Sequence, residues 1–470
     1  MARAALAAGS VIDGFRLEEI AYRGGMATLW RVTHADMAAP LVMKVPRLEY
    51  GEDAAAIVGF EVEQMIMPSL SGTHVPRFVA AGDFTTMPYI VMEFINGPSL
   101  RARIDHAPLA PEEVAAVGAK VATALHQLHR QNVIHLDLKP SSVLFRANGD
   151  AVLIDYGLAH HNQLPDLLAE QFRLPLGTGP YMSPEQIYGV RNDARSDLFA
   201  LGVTLYFLAT GERPFGNPTS IAGLRKRLYQ NPPPPAALRP GFPPWLQEII
   251  LHCLEVDPAR RYNTAAQVAF DLQHPQEVVL SERAARTARD GIADRLRSWL
   301  GSFGAGRVVH SSVADHLAAA PIVMVAVDLM PGMEALGEAL QRATRRVLAA
   351  DAGARLSCVS VLKTSRIAID SNVDAEGRNL HVQRLVELKH WARALGLEPA
   401  RVTFHVLEAP DPAAALVEYA HANQVDHIVV GARASSAVRR FLGSVSSRVV
   451  AEAPCTVTVV RVAHNERDAG

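Results

Sequence analysis

The stretch V-I-H-L-D-L-K-P-S-S-V-L-F, residues Val133 to Phe145, sets a run of polar side chains between two apolar ends. Asp137 stands between two leucines, Lys139 follows two residues later, and Ser142 three after that. Alone, a carboxylate in such a setting is structural more often than catalytic. Its neighbours along the chain change the reading. L-V-M-K-V places Lys44 inside a strand, where an isolated ammonium is costly to bury. F-E-V-E-Q offers Glu63, or in another register Glu61, as its partner, and L-I-D-Y-G-L-A supplies Asp155.

Size and composition bound the answer. At 470 residues the chain is long for one core. A hydrophobic share of 49%, a charged share of 20% and a net charge of −2 give no electrostatic case for nucleic acid or a membrane surface. The three cysteines, Cys253, Cys358 and Cys455, form no C-x-x-C pair, so neither a zinc site nor a disulfide framework is indicated and a reducing cytoplasm fits. No apolar run approaches the roughly 20 residues of a bilayer span, so a cytoplasmic chain without a transmembrane segment is expected.

The pattern changes twice along the chain. Up to about Leu100 it reads as short strands, F-R-L-E-E-I-A-Y, A-T-L-W-R-V-T-H, L-V-M-K-V and P-Y-I-V-M-E-F, interrupted by one helix from about Ala54 to Leu70. From Pro111 to about His274 it is helical, with a proline-rich connection, Asn231 to Trp245, that cannot be a helix interior. An Arg-rich stretch then reads as a helical linker ending in glycines, with Leu296, Trp299, Leu300 and Phe303 as an amphipathic stripe. After Pro321, strand-like runs alternate with helical ones, which implies a parallel sheet covered by helices. The expected divisions are a tail at 1–14, a first domain at 15–275, a linker at 276–320, a second domain at 321–462 and a tail at 463–470.

Phosphoryl transfer demands positioning and charge neutralisation: a cation on the phosphates, acids for a metal, a carboxylate near the attacking hydroxyl and a loop over the nucleotide. Lys44, Asp155, Asp137 and A-Y-R-G-G-M-A-T-L-W offer these in order. With G-T-G-P-Y-M-S-P-E-Q, R-S-D-L-F-A-L-G and D-P-A-R-R-Y added, the region from about Phe15 to His274 resembles bacterial Ser/Thr protein kinases, and so implies a bilobal α+β fold. The resemblance implies ATP with Mg2+, Mn2+ also serving, and protein substrates. It makes Asp137 the base, Lys139 the γ-phosphate partner, Lys44 the α/β-phosphate contact paired with Glu63, and Asp155 and Ser142 the metal ligands. Met92 would line the adenine pocket, with Glu93 to Ile95 presenting backbone groups. Thr178 would lie near the catalytic loop, Glu185 would pair with Arg261, and Asp197 would brace the loop. The alternative is a nucleotide-binding pseudokinase scaffold.

The sequence departs from that family at several places. Gly24 and Gly25 remain in the glycine-rich loop, but Tyr22 and Ala27 hold the first and third glycine positions. Ser142 replaces a metal-binding Asn, Tyr156 a usual Phe, and Leu136 the arginine that reads a phosphorylated activation loop. Between Gly157 and Gly177 there is no Ser, Thr or Tyr, so receiver and modification site are absent together. The simplest expectation is a loop not switched by phosphate.

The region from about Pro321 to Val462 resembles a universal stress protein domain, an α/β fold. Asp328 closes V-A-V-D at the carboxyl edge of the first strand. In V-V-G-A-R-A-S-S-A-V-R-R-F-L-G-S, Gly431 matches that family's phosphate loop, Ala434 takes the second glycine, and Gly443 and Ser444 come one residue early. A second nucleotide site at Asp328, Gly431, Gly443 and Ser444 is one expectation; a regulatory or homodimer-forming surface is the other.

Overall fold

The computed structural model describes residues 6–47, 54–288, 321–350, 353–364, 379–398, 401–432 and 444–462. Residues with alternating apolar side chains build a six-stranded antiparallel sheet from β1 (Val11–Ile12), β2 (Phe15–Arg23), β3 (Ala27–His34), β4 (Met37–Pro46), β5 (Phe78–Gly82) and β6 (Tyr89–Glu93), in the order β1-β2-β3-β4-β6-β5. One face buries Phe15, Leu17, Trp30, Met43 and Val91. The other sends Val42, Ile90 and Met92 against Ile57 and Phe60 of helix α1 (Ala54–Ile66). Strand β5 has no signal in F-V-A-A-G, whose small residues favour strands weakly; pairing with β6 makes it one.

Helix α2 (Pro111–His129) buries Val114, Val117, Val121, Leu125 and Leu128, a stripe at helical spacing. Two small antiparallel ladders follow it: β7 (Val133–Ile134) with β10 (His160–His161), and β8 (Val143–Phe145) with β9 (Ala151–Leu153). They clamp both ends of the stretch that carries Asp137. Beyond them come the short helices α3 (Leu167–Gln171) and α4 (Pro184–Ile187), then α5 (Arg195–Thr210), α6 (Pro244–Cys253) and α7 (Ala265–Gln273). Helix α5 is buried on nearly every side and stops at Gly211, whose φ of +78° makes a left-handed cap.

Two sequence expectations shift here. The proline-rich connection holds one helical turn, Pro235–Leu238, and leads into α6 at Pro244, because proline is tolerated at a first helical position. The start of the expected linker is fastened to α6: Ser281 donates to Glu248 at 2.9 Å, and Arg283 pairs with Glu248 (2.8 Å) and Glu255 (3.0 Å). The stripe at Leu296, Trp299, Leu300 and Phe303 lies outside the described residues.

The C-terminal part is a five-stranded parallel sheet of β11 (Ile322–Ala326), β12 (Arg355–Lys363), β13 (Val402–Ala409), β14 (His427–Gly431) and β15 (Thr456–Val460), ordered β13-β12-β11-β14-β15. Helices α8 (Glu334–Ala350) and α9 (Leu380–Arg393) bury Leu336, Leu340 and Leu388 on one face. Helices α10 (Pro412–Ala422) and α11 (Ser444–Glu452) bury Leu416, Tyr419 and Val449 on the other. The β13 edge is not free: Val382, Leu385 and Val406 join the core of the first domain. No helix among the described residues is long and apolar enough to cross a membrane.

Candidate active site

Three elements far apart in sequence meet at Lys44. Its Nζ lies 2.5 Å from Glu63 Oε2 on α1 and 2.9 Å from Asp155 Oδ1 after β9. The choice of register is thereby resolved for Glu63; Glu61 points elsewhere. Burial opposes the charge on Lys44, but Asp155 and Glu63 outweigh it and hold the ammonium well above its ordinary range. Lys44 in turn holds Asp155 down at about 2. Helix α1 comes this close because Gly59 faces Gly157: a Cβ on Gly59 would sit 2.9 Å from the Gly157 carbonyl oxygen. Asp155 has a φ of +72°, a conformation L-residues adopt at a cost, typical of positions fixed by function. Tyr156 is fully buried, donates its hydroxyl to Leu153 O at 2.8 Å and packs beside His135.

The second cluster is on the opening stretch. Thr178 donates both its amide (2.8 Å) and its hydroxyl (2.7 Å) to Asp137 Oδ1. Lys139 pairs with Asp137 Oδ2 and reaches the Thr178 hydroxyl at 3.2 Å. Asp137 thus faces a hydroxyl and an ammonium at once. Beneath it Asp197, wholly buried at the start of α5, accepts from the amides of His135 and Leu136 (2.8 Å each) and from His129 (2.9 Å). Those bonds hold Leu136 at a φ of +59°. Gln186 adds a bond to Leu136 O at 2.8 Å. Its signal was legible as S-P-E-Q, a capping box in which Ser183 and Gln186 serve each other's amides.

Ser142 is buried and occupied with its own loop. It accepts from the Lys139 amide at 2.9 Å, and its hydroxyl lies 2.9 Å from Lys139 O and 3.3 Å from Asp137 O. Among the described residues no group of three or more His, Cys, Asp or Glu gathers into a ready-made cation cage. A single carboxylate still fits the donor set that magnesium accepts, since that ion keeps waters and takes phosphate oxygens. Asp155 is the half-exposed one, with one oxygen beyond the Lys44 contact.

The remaining expected residues fall around these clusters. Tyr22 is exposed near the end of β2, opposite Leu29, and Gly24 to Met26 make the three-residue turn between β2 and β3, closed by the Gly24 amide on Ala27 O at 2.9 Å. A Cβ on Gly24 would come within 3.1 Å of the Tyr22 ring, so the tyrosine crowds this turn. Met92 is buried on β6. Glu93 gives its amide to Arg77 O and Phe94 to Pro40 O, each at 2.9 Å, leaving the Ile95 amide without a partner among the described residues. The Glu93 side chain belongs to Arg146, whose second contact is 2.9 Å. Glu185 and Arg261 form a buried two-pronged pair at 2.6 and 2.8 Å.

A family model described as "Protein kinase domain" matches residues 16–275. The chain belongs to the protein kinase family. Members of this family use ATP and divalent metal ions and act on proteins. A model of the universal stress protein family matches residues 321–461. Over the kinase region the chain is 30% identical to the probable serine/threonine-protein kinase PknB of Lactococcus lactis across 262 residues, 55% of this chain and 42% of that protein. It is 30% identical to serine/threonine-protein kinase PknB of Mycobacterium tuberculosis across 265 residues, again 55% and 42%. The chain therefore spans under half the length of these relatives. The crystal structure of the Mycobacterium tuberculosis PknI kinase domain aligns with a TM-score of 0.46 and 23% identity, over 58% of this chain and 100% of that one.

In the second domain, Asp328, just past β11, and Gly431, the last residue of β14, come to the same edge of the sheet, at the ends of neighbouring parallel strands. Strand order reverses direction between those two, where such folds open a crevice. Gly431 also has a packing reason: a Cβ there would lie 2.8 Å from Leu336. Ser444 begins α11, while Ala434 and Gly443 lie outside the described residues.

Proposed function

We propose that this chain transfers the γ-phosphoryl group of ATP, with Mg2+ or Mn2+, to serine and threonine hydroxyls of proteins. The observation that carries it is the Lys44–Glu63–Asp155 cluster, made by groups from β4, α1 and the turn after β9. In this reading Lys44 holds the α/β-phosphates and Asp155 takes the divalent cation, which neutralises phosphate charge when bound. Asp137 orients the attacking hydroxyl and accepts its proton, and Lys139 offsets charge on the moving phosphoryl group. The Thr178 hydroxyl on Asp137 supports that role, because it stands where a hydroxyl must be received. Met92 and the free Ile95 amide are the adenine contacts, and Gly24 and Gly25 cover the phosphates. Ser142 serves by holding the loop backbone.

The test is γ-labelled phosphate transfer to the chain itself and to a generic protein, with magnesium and manganese titrated. Asp137→Asn and Lys44→Met are each expected to abolish transfer. Label persisting in the Asp137 variant would assign it to a contaminant or to the other domain. A nucleotide site at Asp328 and Gly431 is a second reading, supported by their place at the switch of strand order; ATP should then stabilise the second domain. Strand β15, at the sheet edge opposite β13, is the surface on which two copies would pair, and the sedimentation of the full chain tests it.

A further inference from the structure

The segment from Asp155 to Thr178 sets Thr178 against Asp137, yet no Ser, Thr or Tyr lies between Gly157 and Gly177. Activation loops elsewhere are ordered when a phosphate meets an arginine. Here α3, in the middle of the segment, carries a permanent anion. Glu170 is buried, with Oε1 2.7 Å from Arg355 and Oε2 2.8 Å from His405. The Tyr419 hydroxyl lies 3.3 Å from the same Oε2 and is itself met by Ser357 at 2.8 Å. Backbone bonds secure the turn on both sides: Asn423 donates to Glu170 O at 3.1 Å, and Gln171 donates to Val406 O at 2.9 Å.

Every one of these partners belongs to the second domain. While that domain is seated, losing the Arg355 guanidinium would leave the carboxylate buried without its cation, which is strongly destabilising, and without the domain α3 loses all of these bonds. The dependence is mutual, since among the described residues neither the Arg355 guanidinium nor the His405 ring has another side-chain ion-pair or hydrogen-bond partner.

A second tie reaches the other moving part. Glu61 and Glu63 are two positions apart on α1, so they face nearly opposite ways. Glu63 takes Lys44, while Glu61 takes Lys389 of α9. The Lys389 ammonium also lies over the rings of Phe84 (5.3 Å) and Phe404 (5.7 Å), and Arg393 donates to Thr85 at 3.1 Å. The same domain thus grips both the helix that presents Glu63 and the segment that presents Thr178.

We infer that the C-terminal domain is a built-in activator of the kinase site. Glu170, received by Arg355 and His405, does the ordering that a phosphorylated residue and its arginine do elsewhere, and Lys389 with Glu61 sets α1. The activity arm rests on the proposed phosphotransfer; the structural arm does not.

The test uses the full chain. Hydrogen exchange is followed in 54–66 and 158–178 together with phosphate transfer, for Arg355→Met, Lys389→Glu and the swap of Glu61→Lys with Lys389→Glu. Arg355→Met should speed exchange of α3 by roughly a hundredfold, the scale of a broken buried ion pair, and lower transfer. Lys389→Glu should loosen α1, and the swap should restore it. The swap decides the matter if Arg355→Met does not fold. Unchanged exchange in both segments, a swap that restores nothing, or variants more active than the parent would overturn the inference. Loosened segments in a chain that transfers no phosphate even before substitution would leave the clamp standing and sink the phosphotransfer reading instead.

Discussion

Replacing Asp197 with Asn changes one atom and should unseat the catalytic loop. The carboxylate now accepts three hydrogen bonds, from the amides of His135 and Leu136 and from His129, with no solvent to replace any of them. Burial alone would favour its neutral form, but His129 and the His135 amide outweigh that and keep it below the ordinary carboxylate range. A carboxamide has one accepting oxygen; its NH2 must face at least one of these donors. Losing one hydrogen bond to a charged group costs about 1.5–3 kcal/mol, and the buried amide left facing a donor adds about 1–3 kcal/mol. Leu136, held at a φ of +59°, has a strain of about 1–3 kcal/mol to release by relaxing. A net loss of about 2–4 kcal/mol is expected, a large part of the roughly 5–15 kcal/mol that holds a domain folded. Urea unfolding of the full chain measures the loss, and hydrogen exchange across 133–145 localises it. Because Asp137 follows Leu136 directly, transfer should fall by about a hundredfold, as for a displacement near 1 Å. A cost under about 0.5 kcal/mol with unchanged loop exchange would refute the reasoning.

Thr178→Ser should keep most activity and Thr178→Val should lose it, since the hydroxyl serves Asp137 and Lys139; a phosphate found on Thr178 of the fully active protein by peptide mapping would contradict this. Ser142→Ala removes the oxygen that accepts the Lys139 amide and should cost about 1 kcal/mol, read as a lower urea midpoint. Glu170, despite a burial cost, is held below the ordinary carboxylate range by His405 and Arg355, with Tyr419 also facing it. Its pairing is therefore fully present above about pH 4.3 and lost as pH falls through the lower folded value, so the melting gap between the parent and Glu170→Gln should close in acid. A gap independent of pH would show that Glu170 is not charged in place. Gly431→Val should lower the melting temperature of the second domain with or without ATP, because the added side chain strikes Leu336; a loss seen only with ATP would point to a nucleotide contact instead.

The kinase fold was legible because its chemistry is written in short local words. K-V, D-L-K-P, D-Y-G and S-P-E-Q each fix a turn or a strand end, and their order needs no knowledge of packing. The α/β second domain was legible through uninterrupted apolar strands such as I-V-M-V-A and H-I-V-V-G, which only a sheet covered on both faces requires. The role of Ser142 was harder to read: its position suggests a metal, while its hydrogen bonds go to its own loop, of which the sequence gives no sign. The sequence favoured Glu63 over Glu61 as the partner of Lys44 but gave no partner for Glu61; α1 turns the first toward Lys44 and the second toward Lys389. Glu170 carried no signal at all. A glutamate in a five-residue helix looks solvated, and its partners Arg355 and His405 lie 185 and 235 positions away.

The hydroxyl-free segment also bears on time. A phosphate is a record: one enzyme writes it, it outlasts the signal, and another enzyme must erase it. A carboxylate encoded in the chain keeps no such history. If α3 answers only to where the second domain sits, its state follows that domain as fast as domains move, in microseconds to seconds, and returns without a phosphatase. Such a kinase reports present conditions and carries no memory of past ones.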